Sequence, residues 1–483
     1  MYLPLADTLS ARVKNMHFIG VGGIGMSGVA EILQRLGYSV SGSDAGANYN
    51  TKRLERLGVT IFHGHDAAHV AGKDIVVYSS AIPADNPELV AARGNHIPVI
   101  SRAEMLAELM RFRHAVAIAG SHGKTTTTTI VSSIFEAAGL DPTVVNGGVI
   151  NRHESNAYLG KGDWFIAESD ESDGSFLRLP ATVAIVTNID PEHLEHYGDF
   201  NALLAAFRQF IEKLPFYGFA VLCADHPETA KLAKQITSRR IVTYGFDESA
   251  AVRADNVTPG AAGSRFDVFI KGEKIMENVA FAAPGRHNVL NCLAAIAAAS
   301  ELGIECDAIR AALQHFKGVK RRFTVLGTSK KGVTVVDDYA HHPEEIKATL
   351  AAAKAVIKSA AEERGAKPGR VVAIFEPHRY SRVNALFREF AKAFDDADLV
   401  LVKDIYPAGE KPIDGITREA LVEAIAKNHK GTSATVYSDA EIIRYMQENG
   451  RDGDMALCMG AGPVTVFAQR LHDALANENE GAA

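Results

Sequence analysis

The sequence predicts a three-domain α/β protein, because short apolar runs alternate with helical patterns along nearly the whole chain and two glycine-rich turns each join an apolar run to a helix. The first block opens with MHFIGV at residue 16 and continues through GMSGVAEILQRLG, YSVSGSD, a polar helix, TIFHG and DIVVYSS, closing with the helical pattern of residues 102–111. A second block runs from HAVAIAG through WFIAESDES, TVAIVTNID and FAVLCAD. It becomes β-like and turn-rich between about Gly245 and Pro284, and the helix HNVLNCLAAIAAASELG follows. KGVKRRF, residues 317–323, carries four cations and reads as a hinge. The third block repeats the rhythm in GVTVVDDYA, VVAIFEP, DLVLVKDI, ATVYS and DMALCMG. Expected domains are residues 1–112, 113–320 and 321–483.

Composition narrows the function. With 47% hydrophobic and 23% charged residues the chain is expected to be globular rather than disordered. A net charge of −7 provides no basic field for nucleic acid, which points to small-molecule partners. Cys223, Cys292, Cys306 and Cys458 form no CxxC pair, so a disulfide framework or zinc knuckle is not expected. The first twenty residues lack the charged and apolar regions of a targeting segment, no stretch is apolar enough to span a membrane, and a cytoplasmic location is expected. The final ANENEGAA reads as a frayed tail. No pattern in the sequence specifies an oligomeric state.

The segment AIAGSHGKTTTTT is a strand, a tight turn and a helix start, the arrangement that aims backbone N–H groups at phosphate oxygens. Gly120, Ser121, His122, Gly123, Lys124, Thr125 and Thr126 are the expected phosphate-binding residues. Lys124 is placed to reach β and γ phosphates, and the Thr125 hydroxyl to bind Mg²⁺. The turn is shorter than the full GxxxxGKT pattern, since Ile118 stands where the first glycine belongs. Thr127 to Thr129 read as a polar run that tertiary packing tolerates, although β-branched residues are poor helix formers. Glu168, Asp190 and His193 lie at strand ends on the carboxyl edge of the same sheet, where ligands of open α/β sheets bind.

Gly20, Gly22 and Gly25 form GxGxxG directly after MHFIGV, with Gly23 inside the turn and Asp44 ending the next strand. This is the dinucleotide fingerprint, and alone it would favour NAD. A triphosphate loop at Lys124 is foreign to a plain dehydrogenase, so another diphosphate such as a nucleotide-sugar suits the turn equally. The turn Ser79-Ser80-Ala81 adds hydroxyls for such a ligand. The first and third domains therefore read as Rossmann-like and the central one as P-loop ATPase-type.

With both loops placed, the chain resembles the Mur ligases of peptidoglycan synthesis over nearly its whole length. The motifs that carry the resemblance are GVGGIGMSG, YSSAI, GSHGKTTTT, AESDESDGSF, TNIDPEHLEHYG, GRHNVLN, KRRF, DDYAHHPEEI and PHRYSR, in that order. The resemblance implies an N-terminal domain for UDP-N-acetylmuramate, a central ATPase domain and a C-terminal domain that brings the incoming amino acid. It assigns phosphate and Mg²⁺ to Lys124 and Thr125, the metal sites to Glu168 and His193, and the nucleotide surroundings to His287, Asn288 and Asn291. Arg322 and Asp338 are implied to reach ATP, and DDYAHHPEEI and PHRYSR resemble the alanine-adding type rather than the type that reattaches a recycled tripeptide. Two residues depart from the family pattern: Ser121 replaces the commoner Thr, and Glu376 stands before PHRYSR where Gln is usual.

The implied reaction joins a carboxylate to the amine of L-alanine. Carboxylate oxygen is a poor leaving group, so ATP activates it as an acyl phosphate. Bringing one anion to another at about 4 Å costs about 4 kcal/mol at an effective dielectric near 20. Lys124, Arg322 and Mg²⁺ are the expected counter-charges. Arg379 or Arg382 suits the alanine carboxylate, with Tyr339 and His341 in the same substrate pocket. His341, His342 or His378 suits the proton acceptor, His378 being the expected catalytic one. The HxxH pair His193 and His196 has no adjacent third ligand for zinc. Competing readings are a nicotinamide oxidoreductase, resting on the first glycine loop, and a non-catalytic nucleotide switch.

Overall fold

The computed structural model describes residues 13–260, 263–429, 432–436 and 438–477. The first twelve residues and most of the final ANENEGAA, read above as a frayed tail, lie outside the described residues. The chain forms a three-domain α/β fold, built on three sheets of mostly parallel strands.

The first sheet contains β1 (Asn15–Ile19), β2 (Ser39–Asp44), β3 (Thr60–His63), β4 (Ile75–Tyr78) and β5 (Val99–Ser101), in the order β3-β2-β1-β4-β5. All of its pairings are parallel. Such a sheet is covered on both faces, which is why β1 is buried continuously from Met16 to Ile19, the polar His17 included, rather than at alternate residues. Between these strands lie α1 (Ile24–Arg35), α2 (Tyr49–Arg56) and α3 (Pro87–Gly94), and α4 (Arg102–Met110) follows β5. Local chemistry fixes their starts: Asn48 with Thr51, and Ser101 with Glu104, form reciprocal capping boxes.

The central sheet has ten strands: β6 (His114–Ala119), β7 (Thr143–Ile150), β8 (Ser155–Tyr158), β9 (Trp164–Glu168), β10 (Val183–Val186), β11 (Phe219–Cys223), β12 (Arg240–Gly245), β13 (Val252–Gly260), β14 (Gly263–Ile270) and β15 (Glu273–Phe281). Their order is β15-β14-β13-β12-β11-β10-β6-β9-β7-β8. β6 is fully buried from Ala115 to Ala119 and pairs in parallel with β10 and β9, so its carboxyl end opens between theirs. Helix α5 (Lys124–Ala137) starts there. The third sheet contains β16 (Thr324–Thr328), β17 (Thr334–Asp338), β18 (Val371–Phe375), β19 (Leu399–Val402), β20 (Thr432–Val436) and β21 (Met455–Met459), in the order β16-β17-β21-β18-β19-β20. Only β16 pairs antiparallel.

The chain divides into two compact units: residues 1–255, 268–277 and 290–317, and residues 256–267, 278–289 and 318–483. Within the first, α1 packs on β7 and β8, and one apolar core runs from Phe18 and Val29 to Phe165, Phe176 and Phe207. In the second, separate cores cover the two faces of the third sheet, around Phe375 and Phe390 on one and Phe467 and Leu471 on the other. No helix among the described residues is long and apolar enough to cross a membrane.

Candidate active site

In the first unit, the turn after β6 is shaped by backbone conformations that only glycine takes easily. Gly120 and Gly123 have φ of +127° and +83°, and a Cβ on Gly123 would stand 2.4 Å from the Asn291 Oδ1. The loop after β10 fastens this turn. The His122 N–H donates to Asn188 Oδ1 at 2.7 Å, the Thr187 hydroxyl donates to the His122 carbonyl at 2.6 Å, and the Asp190 N–H donates to Ser121 Oγ at 2.9 Å. Ser121 thus supplies the hydroxyl that the commoner Thr would supply.

Lys124 is the first residue of α5, and its ammonium is enclosed. It donates to the Gly120 carbonyl at 2.5 Å and to both Glu171 oxygens at 2.8 Å. Burial disfavours its charge, but the carboxylates of Glu171, Glu168 and Asp170 overcome that and hold its pKa above the ordinary lysine value. Burial pushes the Glu171 carboxyl up, with Lys124 opposing the shift. Sequence reasoning missed Glu171 as a site residue, although it lies inside the AESDESDGSF motif. Its signal was a third carboxylate in a run that follows a buried strand.

Glu168 ends β9 and accepts the Gly147 N–H at 2.7 Å. His193, at φ +56°, lies with Glu171 and Glu192 in a group whose ligand atoms are within 4.8 Å of one another. Glu168 is not in that group. Thr125 and Thr126 are buried on the first turn of α5. The donor set of two carboxylates and one imidazole fits a hard divalent cation better than a sulfur-rich zinc site. Asp190 also pairs with His122 and His226, each at 3.4 Å.

The other glycine loop of this unit is held by an anion. The Gly22 N–H donates to Asp44 Oδ2 at 2.8 Å, and the Gly20 and Val21 N–H groups both donate to the Ser43 carbonyl. Gly20 lies against Ser79, whose hydroxyl accepts the Ala81 N–H, while Ser80 and Ala81 are exposed. The Arg102 side chain approaches Gly25, where a Cβ would meet it at 3.1 Å, and it pairs with Asp170 at 3.8 Å. Gly23 gives α1 an extended N-cap. Arg102 had no sequence signal, because it sits far along the chain at the start of α4.

In the second unit, Asp338 ends β17 and is enclosed by Phe323 and Ala340 N–H groups at 2.7 and 2.8 Å. Burial raises its pKa to about 6, against the pull of Arg322. Arg322 stacks over Tyr339 at 5.1 Å and faces Glu345 at 3.9 Å. Burial, with Arg322 adding to it, lowers His287 to about 4. Asn288 donates to the Pro284 carbonyl at 2.7 Å.

His341 and His378 stand with ring centres 6.1 Å apart, and Arg382 Nη1 lies 3.2 Å from His378 Nδ1. Burial lowers both histidines to about 4, Glu345 opposing at His341 and Arg382 reinforcing at His378. Arg379 has φ +69°, and its N–H donates to the Tyr406 carbonyl at 2.8 Å. Glu376 turns to other partners: it accepts the Val464 N–H at 3.0 Å and faces Lys403 at 3.5 Å, and Lys403 in turn meets Asp439 at 3.0 Å. The carboxylate that replaces the usual Gln is therefore matched by a lysine. His342 caps the following helix by accepting the Glu344 N–H.

With its strand-fed glycine turn and buried lysine, its second glycine turn and its third, mostly parallel sheet, the chain belongs to the Mur ligase family. The family's catalytic domain matches residues 15–114, its middle domain residues 118–299 and its glutamate ligase domain residues 321–462. The chain is 51% identical over 460 residues to UDP-N-acetylmuramate–L-alanine ligase of Caulobacter sp. (strain K31), covering 94% of this chain and 95% of the relative. It is 52% identical over 472 residues to the enzyme of the same name from Rickettsia felis, covering 96% and 97%. Among solved structures it is similar to UDP-N-acetylmuramate-alanine ligase MurC of Thermotoga maritima, with a TM-score of 0.80, 29% identity, and 95% and 98% coverage. A murein peptide ligase from Psychrobacter arcticus matches with a TM-score of 0.68, 28% identity, and 96% and 99% coverage.

Proposed function

We propose that this chain is an ATP-dependent ligase that joins L-alanine to the carboxylate of UDP-N-acetylmuramate, giving ADP and phosphate, in peptidoglycan precursor synthesis in the cytoplasm. The observation that carries the reading is Lys124, charged and enclosed at the start of α5, in a chain about half identical over its length to ligases of that name.

In the first step a carboxylate oxygen attacks the γ-phosphorus, an acyl phosphate forms and the bond to ADP breaks. Lys124 is the cation that offsets charge on the phosphate oxygens, and the turn from Gly120 to Gly123 orients them together with the first turn of α5. Mg²⁺ held by Thr125, Glu168 and His193, with Glu171 and Glu192 beside His193, would supply further counter-charge. The loop at Gly20–Gly25, with Asp44, Ser79, Ser80 and Ala81, is the proposed UDP-sugar site. His287, Asn288, Arg322 and Asp338 are the second unit's proposed nucleotide-binding groups, and Asn291 is the first unit's.

In the second step the alanine amine attacks the acyl carbon and phosphate leaves. The amine must lose a proton. His341 and His378, lowered to about 4 by burial, are unprotonated at pH 7, and they are the proposed acceptors. His378 is the favoured acceptor because Arg382 beside it suits the alanine carboxylate, with Arg379 and Tyr339 completing the pocket. Domain limits of 1–112, 113–320 and 321–483 belong to the same proposal.

The test is ADP release from purified protein, expected only when ATP, UDP-N-acetylmuramate and L-alanine are all present. Release with a murein tripeptide in place of alanine would move the assignment to the peptide-reattaching type.

A further inference from the structure

A line of buried side chains runs through the first unit from the glycine loop to the phosphate loop. At the start of α1 the Ile24 carbonyl accepts Asn156 Nδ2 at 2.6 Å, and the same nitrogen lies 3.5 Å from the Asn146 carbonyl. Asn146 Nδ2 donates to Thr129 Oγ1 at 2.8 Å, and that hydroxyl donates to the Thr125 carbonyl at 2.9 Å. Thr125 adjoins Lys124. A branch reaches the acidic side of the site, where the Gly147 N–H lies 3.0 Å from Asn146 Oδ1 and 2.7 Å from Glu168 Oε2.

The line is anchored from the other side. Arg53 Nη2 donates to Asn156 Oδ1 at 2.7 Å, and Arg53 Nη1 meets Glu31 Oε2 at 2.7 Å. Glu31 also accepts the Ser155 hydroxyl at 3.0 Å. Asn156, Asn146 and Thr129 are 0%, 1% and 1% exposed. Apolar residues would fill such positions without the need to satisfy amides and a hydroxyl in a dry interior. What the polar groups add is direction: each hydrogen bond fixes a donor to its acceptor, so α1 sits in one register over β7 and β8.

We infer that Asn156, Asn146 and Thr129 are positioning residues, which hold the sugar-side loop at Ile24 in register with the phosphate-side helix at Thr125. The inference rests on the ligase reading above. In that reaction the carboxylate and the γ-phosphate arrive on different loops. Displacement of reacting groups by 1 Å costs about 10²-fold in rate. The groups that fix loop to loop therefore govern turnover and leave each ligand's own contacts intact.

The experiment compares Thr129→Val, Thr129→Ser, Asn156→Ala and the double variant Asn156→Ala/Thr129→Val in the full chain. It reads kcat, the KM for each substrate and the melting temperature. Thr129→Val is expected to lower kcat about tenfold with both nucleotide-substrate KM values within about threefold, and Thr129→Ser, which keeps the hydroxyl, to recover most of that loss. The double variant is expected to be no slower than about twice the worse single one, as for residues in one chain of contacts. Unchanged kcat in Thr129→Val, an equal loss in Thr129→Ser, or losses that multiply in the double variant would overturn the inference. If Asn156→Ala fails to fold, the Thr129 pair decides alone. Wild-type protein inactive with UDP-N-acetylmuramate and L-alanine would instead sink the ligase reading.

Discussion

The two glycine loops of the first unit use one backbone device for different tasks. Each follows a strand with parallel neighbours on both sides, turns through a positive-φ glycine and opens a helix. They part in charge. The loop at Gly20–Gly25 is braced by the Asp44 carboxylate on the Gly22 N–H, and its nearby cation, Arg102, comes from another element and is paired with Asp170. The loop at Gly120–Gly123 carries its own lysine, enclosed between a carbonyl and Glu171. Backbone N–H groups suffice to hold a diphosphate. A reaction that shifts charge onto phosphate oxygens needs a fixed cation at the turn itself.

The sharpest way to break this comparison is Lys124→Ala, expected to cut ADP release about 10³-fold while calorimetric binding of UDP-N-acetylmuramate stays within about twofold. Equal loss of both would mean that the loops do not divide the work. Gly22→Ala sharpens it from the other side. A Cβ there would stand 2.3 Å from Asn48 Nδ2 and 2.8 Å from Asp44 Oδ2. The KM for UDP-N-acetylmuramate is expected to rise about tenfold while that for ATP holds, as steady-state kinetics would show.

The smallest effect concerns stability against pH, and it contrasts the first unit's buried lysine with the second unit's buried histidines. His287, His341 and His378 fall from 6.5 to about 4 on folding, so between those values the unfolded chain binds more protons. Their contribution is present above pH 6.5 and lost as pH falls toward 4. Asp338, raised from 3.8 to about 6, acts in the opposite direction, its contribution being lost as pH rises through 6. Among these four groups three oppose one, so their summed contribution to the denaturant midpoint is expected to fall from pH 6.5 to 4. His341→Asn should flatten that slope, and a steeper slope would show that this histidine is not buried neutral.

Much of the fold was legible because its signals are local. Strand, turn and helix start follow one another within a dozen residues at both loops, and the apolar runs of buried parallel strands need no partner to be recognised. The same holds for the turns at Gly120 to Thr125 and at Gly20 to Gly25, whose shape follows from backbone conformation. The threonine run shows where this ends. β-Branching marks it as a poor helix interior, yet in the fold the Thr128 and Thr129 hydroxyls bond back to the Lys124 and Thr125 carbonyls and Asn146 reaches Thr129.

The sequence by itself determined the α/β class, the two glycine turns between strand and helix and the resemblance to the Mur ligases, since each depends on neighbours along the chain. Tertiary structure alone decided which charge meets which: Glu171 with Lys124 across 47 residues, Lys403 with Glu376, Asn156 with Ile24 across 132. The physical reason is that a dihedral preference is a property of a few adjacent residues. A buried ion pair or amide bond exists only after helices and sheets have stacked and removed the water that would otherwise have been the partner.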